Sequence, residues 1–327
     1  NEEELIINKA LVEFGKPLRD WNLEIYRGIL TGFNGAFIID QAKRDELVAE
    51  DNSSDEIIRP ILKGREIQGY HVDWKNDYVI ATFPSLNIEI EDFKAVRRYL
   101  ESFQPKLNQT GETFINNKGV KEKTRKKSGN KWFETQDPIG FVAEFKKEKV
   151  IWKRIGSIMR FAYSDEEIYC LDSTCIATGE KIKYLTAVLN SKIGLYQLIK
   201  TSPQTGTGDQ IISFQALEPL LVPYPSIEIE EIFNVIVDYI LFIKKSSESI
   251  LNSISHEILS STFEEVIDYM VYELYFEKHM KENKIDVLQF VDFEGINQLE
   301  TFEEKRDVIQ REYYKLKEKD NPIRNRI

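Results

Sequence analysis

In the stretch "DPIGFVAEFK", Asp137, Glu144 and Lys146 have the side-chain types a Mg²⁺-dependent nuclease uses. Two carboxylates would hold the ion, and an ammonium group would help polarise the attacking water. Only seven positions separate Asp137 from Glu144, however, and Pro138 follows Asp137 directly. In a basic, alternating strand, Glu144 and Lys146 read instead as one solvated face. Other metal chemistry finds less support. His71, His256 and His279 are scattered, and in "SHEILS" the residue four after His256 is Ser260, where a helical zinc site needs a second imidazole. Cys170 and Cys175 lack a second cysteine pair and read as buried apolar thiols. "TGTGDQ" (Thr205–Gln210) could cup an anion with backbone N–H groups, but it lacks the Gly-Lys-Ser/Thr of a nucleotide-phosphate loop. "GILTGFNG" does not follow the glycine spacing of a dinucleotide fingerprint. No Asn-Pro-Pro-aromatic tetrapeptide, which an adenine-N6 methyltransferase uses to hold a flipped base, occurs in the chain. No catalytic or metal-binding residue is therefore assigned, and the segment is expected to hold no cofactor of its own.

The distribution of charge is more informative than its sum. The formal net charge is −11 over 327 residues, which taken alone argues against nucleic acid. Yet Lys118 to Arg160 carries 13 Lys/Arg against five Asp/Glu, a local excess of +8, while Ser226 to the end carries 22 acids against 13 bases. Screening confines such fields to about 10 Å at 0.1 M salt, so a basic face on an acidic protein still attracts phosphate. The other reading of the same run is a solvated, solubilising loop. Two cysteines in a chain of this length fit a reducing cytoplasm. No run of about 18 apolar residues is present to span a bilayer. The opening "NEEELIINKA" has neither the basic nor the apolar region of a signal peptide and reads as a cut from a longer polypeptide.

The elements that would position these groups follow from periodicity. "YVIATF", "LNIEI", "VIWKRI" and "EIYCLDSTCIA" read as strands. "IEDFKAVRRYLESFQPKL" places Phe93, Val96, Tyr99, Leu100 and Phe103 on one helical face, and "KIKYLTAVLNSKIGLYQLIKT" repeats the pattern. "KGVKEKTRKKSGNK" (Lys118–Lys131) has one large apolar residue, Val120, and is expected to be a mobile loop. Pro223 and Pro225 in "LLVPYPS" hold the chain extended, and helical periods follow them. Thr262 with Glu265 matches a capping box. The expected organisation is a linker over 1–17, a mixed α/β (α+β) body over 18–225 and a mainly α-helical region over 226–327. "YRGILTGFNGAFIID" poses a separate question, because Gly28, Gly32 and Gly35 weaken a strand unless a turn or a close backbone approach requires them.

In order along the chain, "YRGILTGFNGAFIID", "DEIIRPILKGREIQGY", "YVIATFP", "YLESFQPKL", "KWFE", "KVIWKRI", "YLTAVLNSKI" and "FEEVIDYMVYELYF" resemble the TaqI-like C-terminal specificity domain. That is the target-recognition part of DNA adenine-N6 methyltransferases and of fused type IIG restriction-modification enzymes. The resemblance covers roughly residues 20–280, and the basic loop at 118–131 departs from it. It implies sequence-specific binding of double-stranded DNA and a methyltransferase domain upstream in the same polypeptide. It also implies a prokaryotic cytoplasmic setting, with S-adenosylmethionine serving the parent enzyme and Mg²⁺ where that enzyme also cuts. Phosphate contacts then fall to Lys63, Arg65, Lys123, Arg125, Lys126, Lys127 and Lys131. Base reading falls to Arg27 for guanine and to Asn34 or Gln210 for adenine, with Thr31 as a further polar contact. Trp132 and Trp152 are either stacking platforms or core. The alternatives are the Asp137/Glu144/Lys146 nuclease and a non-catalytic interaction domain.

Overall fold

Strand alternation decides which side chains enter which core. In the computed structural model, which describes residues 2–327, strands Phe161–Ser164, Lys149–Lys153, Thr174–Gly179 and Leu23–Arg27 form one antiparallel sheet in that order. A second sheet runs Tyr169–Cys170, Ile58–Leu62, Asp77–Ile80 and Ile38–Asp40, with only its first pair parallel. Ile151, Ala162 and Ile176 leave the first sheet on one side and share a core with Ile61, Leu62, Val79 and Cys170 of the second. The residues between them, Val150, Trp152, Phe161, Tyr163, Cys175 and Ala177, point the other way into a larger core roofed by helices. The far side of the second sheet packs Ile58, Tyr78 and Ile80 against Leu47, Val96 and Leu100 of helices Gln41–Glu50 and Lys94–Glu101. The result is a mixed α/β arrangement of helices, sheet, sheet and helices.

The roof of the larger core includes helices Ile182–Asn190, Ile227–Lys245 and His256–Glu282. Its packing continues across Pro225: the Tyr184 and Phe233 rings meet edge-on at 4.9 Å, and the Tyr275 hydroxyl donates to the Leu221 carbonyl at 2.6 Å. Helix Glu2–Phe14 adds Ala10 and Leu11 to the same core. None of the helices among the described residues is long and apolar enough to cross a membrane.

Four local expectations change. "LNIEI" is not a strand, because Asn87 adopts φ +49 between the 3₁₀ turns Pro84–Leu86 and Ile90–Asp92. "KIKYLTAVLNSKIGLYQLIKT" is two helices, the second beginning where Ser191 Oγ accepts the Gly194 N–H at 3.2 Å. The helix holding Thr262 starts earlier, capped by Ser255, so Thr262 sits inside it and donates back to the Ile258 carbonyl at 3.2 Å. The full capping box lies at Thr301 and Glu304 instead. Finally, the lysine-rich loop is partly built. Thr113–Ile115 pairs with Lys121–Lys123 as a hairpin, and bonds such as Thr124 N–H to Glu112 O at 2.9 Å fasten the chain beyond it.

Candidate nucleic-acid interface

Two of the three glycines of the 26–40 segment, Gly28 and Gly32, are explained by a close backbone approach and a turn. A Cβ on Gly28 would stand 2.1 Å from the Leu171 carbonyl oxygen, so only hydrogen fits. That closeness lets Gly28 N–H donate to Thr174 O at 3.0 Å and Ile29 N–H to Cys170 O at 2.7 Å. Gly32 adopts φ +81, a left-handed turn that glycine enters without cost, directly above the Arg125 side chain. The segment is thereby locked between both sheets, with Arg27 at one end and Asn34 at the other.

Three residues assigned to DNA by sequence turn inward. Thr31 is fully buried; its hydroxyl donates to Asn34 Oδ1 at 2.6 Å and accepts the Phe33 N–H at 3.1 Å. Arg125 is buried as well. Its guanidinium donates to the carbonyls of Leu107, Thr31, Glu134 and Trp132 at 2.6–3.1 Å and lies over the Phe37 ring. Burial pulls its pKa down to about 10, which leaves it protonated at neutral pH. Arg125 is thus a strut joining the basic segment to the glycine segment. Gln210 is buried on the short strand Gln210–Ile211, and its amide oxygen has no partner among the described residues.

The remaining assigned residues reach the surface. Arg27 is held at 3.0 Å by Asp172, and nearby Asp137, whose carboxyl is pushed up by burial, is drawn back down by Arg27. Lys63 pairs with Asp77, and both line a shallow cleft with Asn34 and Gly35. Arg65 is exposed, with Glu66 3.9 Å away. Lys123, Lys126, Lys127 and Lys131 are exposed, and Lys131 lies 3.6 Å from Glu89. Asn34 therefore stands between the cleft holding Lys63 and the Arg125 strut that anchors the lysine-rich segment. Trp152 is core, its indole N–H donating to Ile212 O at 2.8 Å, and Trp132 packs edge-on against Phe133.

The nuclease constellation does not form. Residues 142–146 make a 3₁₀ turn rather than a strand. Glu144 accepts from Thr178 at 2.6 Å and from Lys147 at 2.7 Å, while Lys146 faces Glu167 at 3.7 Å. Among the described residues no group of three or more His, Cys, Asp or Glu could hold a metal ion.

Sequence reasoning passed over two cations, Lys153 and Arg154. They end the apolar run "KVIW", and a pair of bases closing a buried strand was the available signal. The Lys153 stem crosses Gly64, between Lys63 and Arg65, with its Cγ 3.1 Å from where a Cβ would be. Burial pushes the Cys175 thiol up to about 11, and Arg154 and Arg27 together oppose the rise, so both cations act on the end of one sheet.

The family model of the TaqI-like C-terminal specificity domain matches residues 59–215. No curated protein matches in sequence. Among solved structures, the type IIL restriction-modification enzyme MmeI in complex with DNA superposes with TM-score 0.54 at 10% identity, covering 93% of this chain and 37% of that one. The type IIG restriction endonuclease BpuSI gives TM-score 0.46 at 13% identity, covering 84% and 32%. The chain thus spans about a third of the length of either enzyme. The likeness to MmeI is one of fold, and the family match takes in the basic segment and the sheet strands after Ile58, leaving Leu23–Arg27 and Ile38–Asp40 outside it. Residues 59–215 are thus similar to the TaqI-like C-terminal specificity domain.

Proposed function

We infer that this chain is the DNA target-recognition part of a restriction-modification enzyme and that it holds duplex DNA for a methyltransferase domain of the same polypeptide. The observation that carries this is a coincidence of position: the basic excess between Lys118 and Arg160 lies wholly within the segment that matches the specificity domain. Exposed Arg65, Lys123, Lys126, Lys127 and Lys131 suit the phosphates, which supply affinity and register. Arg27 and Asn34 present the forked groups that read guanine and adenine edges. The acidic helices beyond Pro225 would turn away from the duplex. The parent enzyme on this reading is a prokaryotic, cytoplasmic adenine-N6 methyltransferase using S-adenosylmethionine, with Mg²⁺ required where it also cleaves.

Selection from a randomised duplex library at several salt concentrations tests the reading. Enrichment of one short motif, with affinity falling steeply as salt rises, is the expected outcome. An unenriched pool with a flat salt response refutes it.

A further inference from the structure

The sheet end at Lys153 continues into a second, unassigned polar site. Strand Ile155–Gly156 pairs with Gln210–Ile211, so a short ribbon leads into the loop Ser202–Gln210. Arg154 is clamped at its backbone, donating to Ser173 O at 2.9 Å and accepting from Ile212 N–H at 2.8 Å. Three buried side-chain atoms around this ribbon have no hydrogen-bond partner among the described residues: Arg154 Nε, Gln210 Oε1 and Ser202 Oγ. Gln210 and Ser202 are only 8% and 7% exposed, so they are not simply wetted surface groups. Register places Gln210 opposite Gly156, and the bond from Ile212 N–H carries the backbone pairing on to Arg154.

Buried donors and acceptors without protein partners are costly to keep, so an incoming polar group, water included, would be stabilised here. The unmet needs here are mixed: Arg154 Nε requires an acceptor, and Gln210 Oε1 requires a donor. A phosphate offers only acceptors, whereas a base edge offers both. The loop tip is shaped for approach. Thr205 N–H donates to Asp209 O at 2.8 Å, Gly208 adopts φ +88, and nothing lies within 4 Å of a Cβ built on Gly206 or Gly208. Lys153, whose Nζ lies 3.4 Å from where a Cβ on Gly156 would be, is exposed and makes no ion pair among the described residues.

We propose that Arg154, with the loop Ser202–Gln210, reads one base pair of the target, and that Lys153 holds the neighbouring phosphate. This rests on the DNA-recognition reading above and adds specificity determinants to it. The test uses the whole chain and the same randomised library, followed by anisotropy titrations of a labelled duplex against salt. Arg154→Lys keeps the charge but loses the fork. It is expected to leave the motif intact except at one base pair, where discrimination falls about tenfold or more. Lys153→Gln, at an exposed site, is expected to weaken every duplex alike and to lower the salt slope by about one. A motif unchanged in Arg154→Lys, or a salt slope unchanged in Lys153→Gln, overturns the proposal while the DNA-recognition reading stands. A parent chain that binds no duplex overturns both.

Discussion

Replacing Arg125 separates an internal strut from a DNA contact, because the two roles move different observables. Its guanidinium serves four backbone carbonyls, those of Leu107, Thr31, Glu134 and Trp132, at 2.6–3.1 Å and with almost no solvent exposure. Hydrogen bonds to a charged group contribute about 1.5–3 kcal/mol each, and an acceptor left buried and unmet costs about 1–3 kcal/mol. Such effects do not add, since the loop relaxes and water enters, so Arg125→Ala should cost about 3–5 kcal/mol. At about 2 °C per kcal/mol for a chain of this size, the melting temperature should fall by roughly 6–10 °C. Arg125→Lys should recover little, because one ammonium cannot span four carbonyls. Calorimetry or tryptophan fluorescence would follow the melt, with anisotropy on labelled duplex read in parallel at a temperature where the variant is folded. Lys126→Ala, one residue away and exposed, should melt like the parent and bind DNA more weakly. If Arg125→Ala melts within 2 °C of the parent yet loses DNA affinity, the strut argument is wrong and Arg125 faces the duplex.

The other expectations are narrower. Arg65→Ala should leave the melt unchanged and reduce the salt slope of DNA binding by about one, measured by titration between 50 and 200 mM salt. Arg27→Ala should relax choice at one base pair by about 1–3 kcal/mol in library selection, with other positions unaffected. Gly28→Ala should destabilise the fold by about 2 kcal/mol or more in denaturant titration, because its methyl group meets the Leu171 carbonyl at 2.1 Å. Burial pushes the thiols of Cys170 and Cys175 from 9.0 up to about 12 and about 11. The folded state therefore favours the neutral thiols. That contribution is whole below pH 9 and is lost as pH rises through 11–12, and neither thiol should react with a disulfide reagent at pH 8 until the protein unfolds.

Much of the molecule follows from local pattern. The alternation in "KVIWK" and "TCIATG" already requires two opposed apolar faces, and the structure places a core on each. The helical stripe through Val96 and Leu100 likewise names its buried side. The glycines announced a close approach or a turn, and Gly28 and Gly32 supply one of each. Side-chain destination is another matter. Arg125, Lys126 and Lys127 are consecutive and chemically similar, yet one is inside and two are outside. What separates them is a ring of carbonyls contributed by residues 31, 107, 132 and 134, brought together from three stretches of the chain by folding. Thr31 left the surface in a similar way, held by Asn34 and the Phe33 N–H, and Lys153 and Arg154 became prominent because tertiary packing sets Gly64 and Ser173 beside them. Periodicity fixes which face of an element is apolar, since it depends on neighbours a few residues away. Which charge remains exposed depends on groups that meet only when the sheets close.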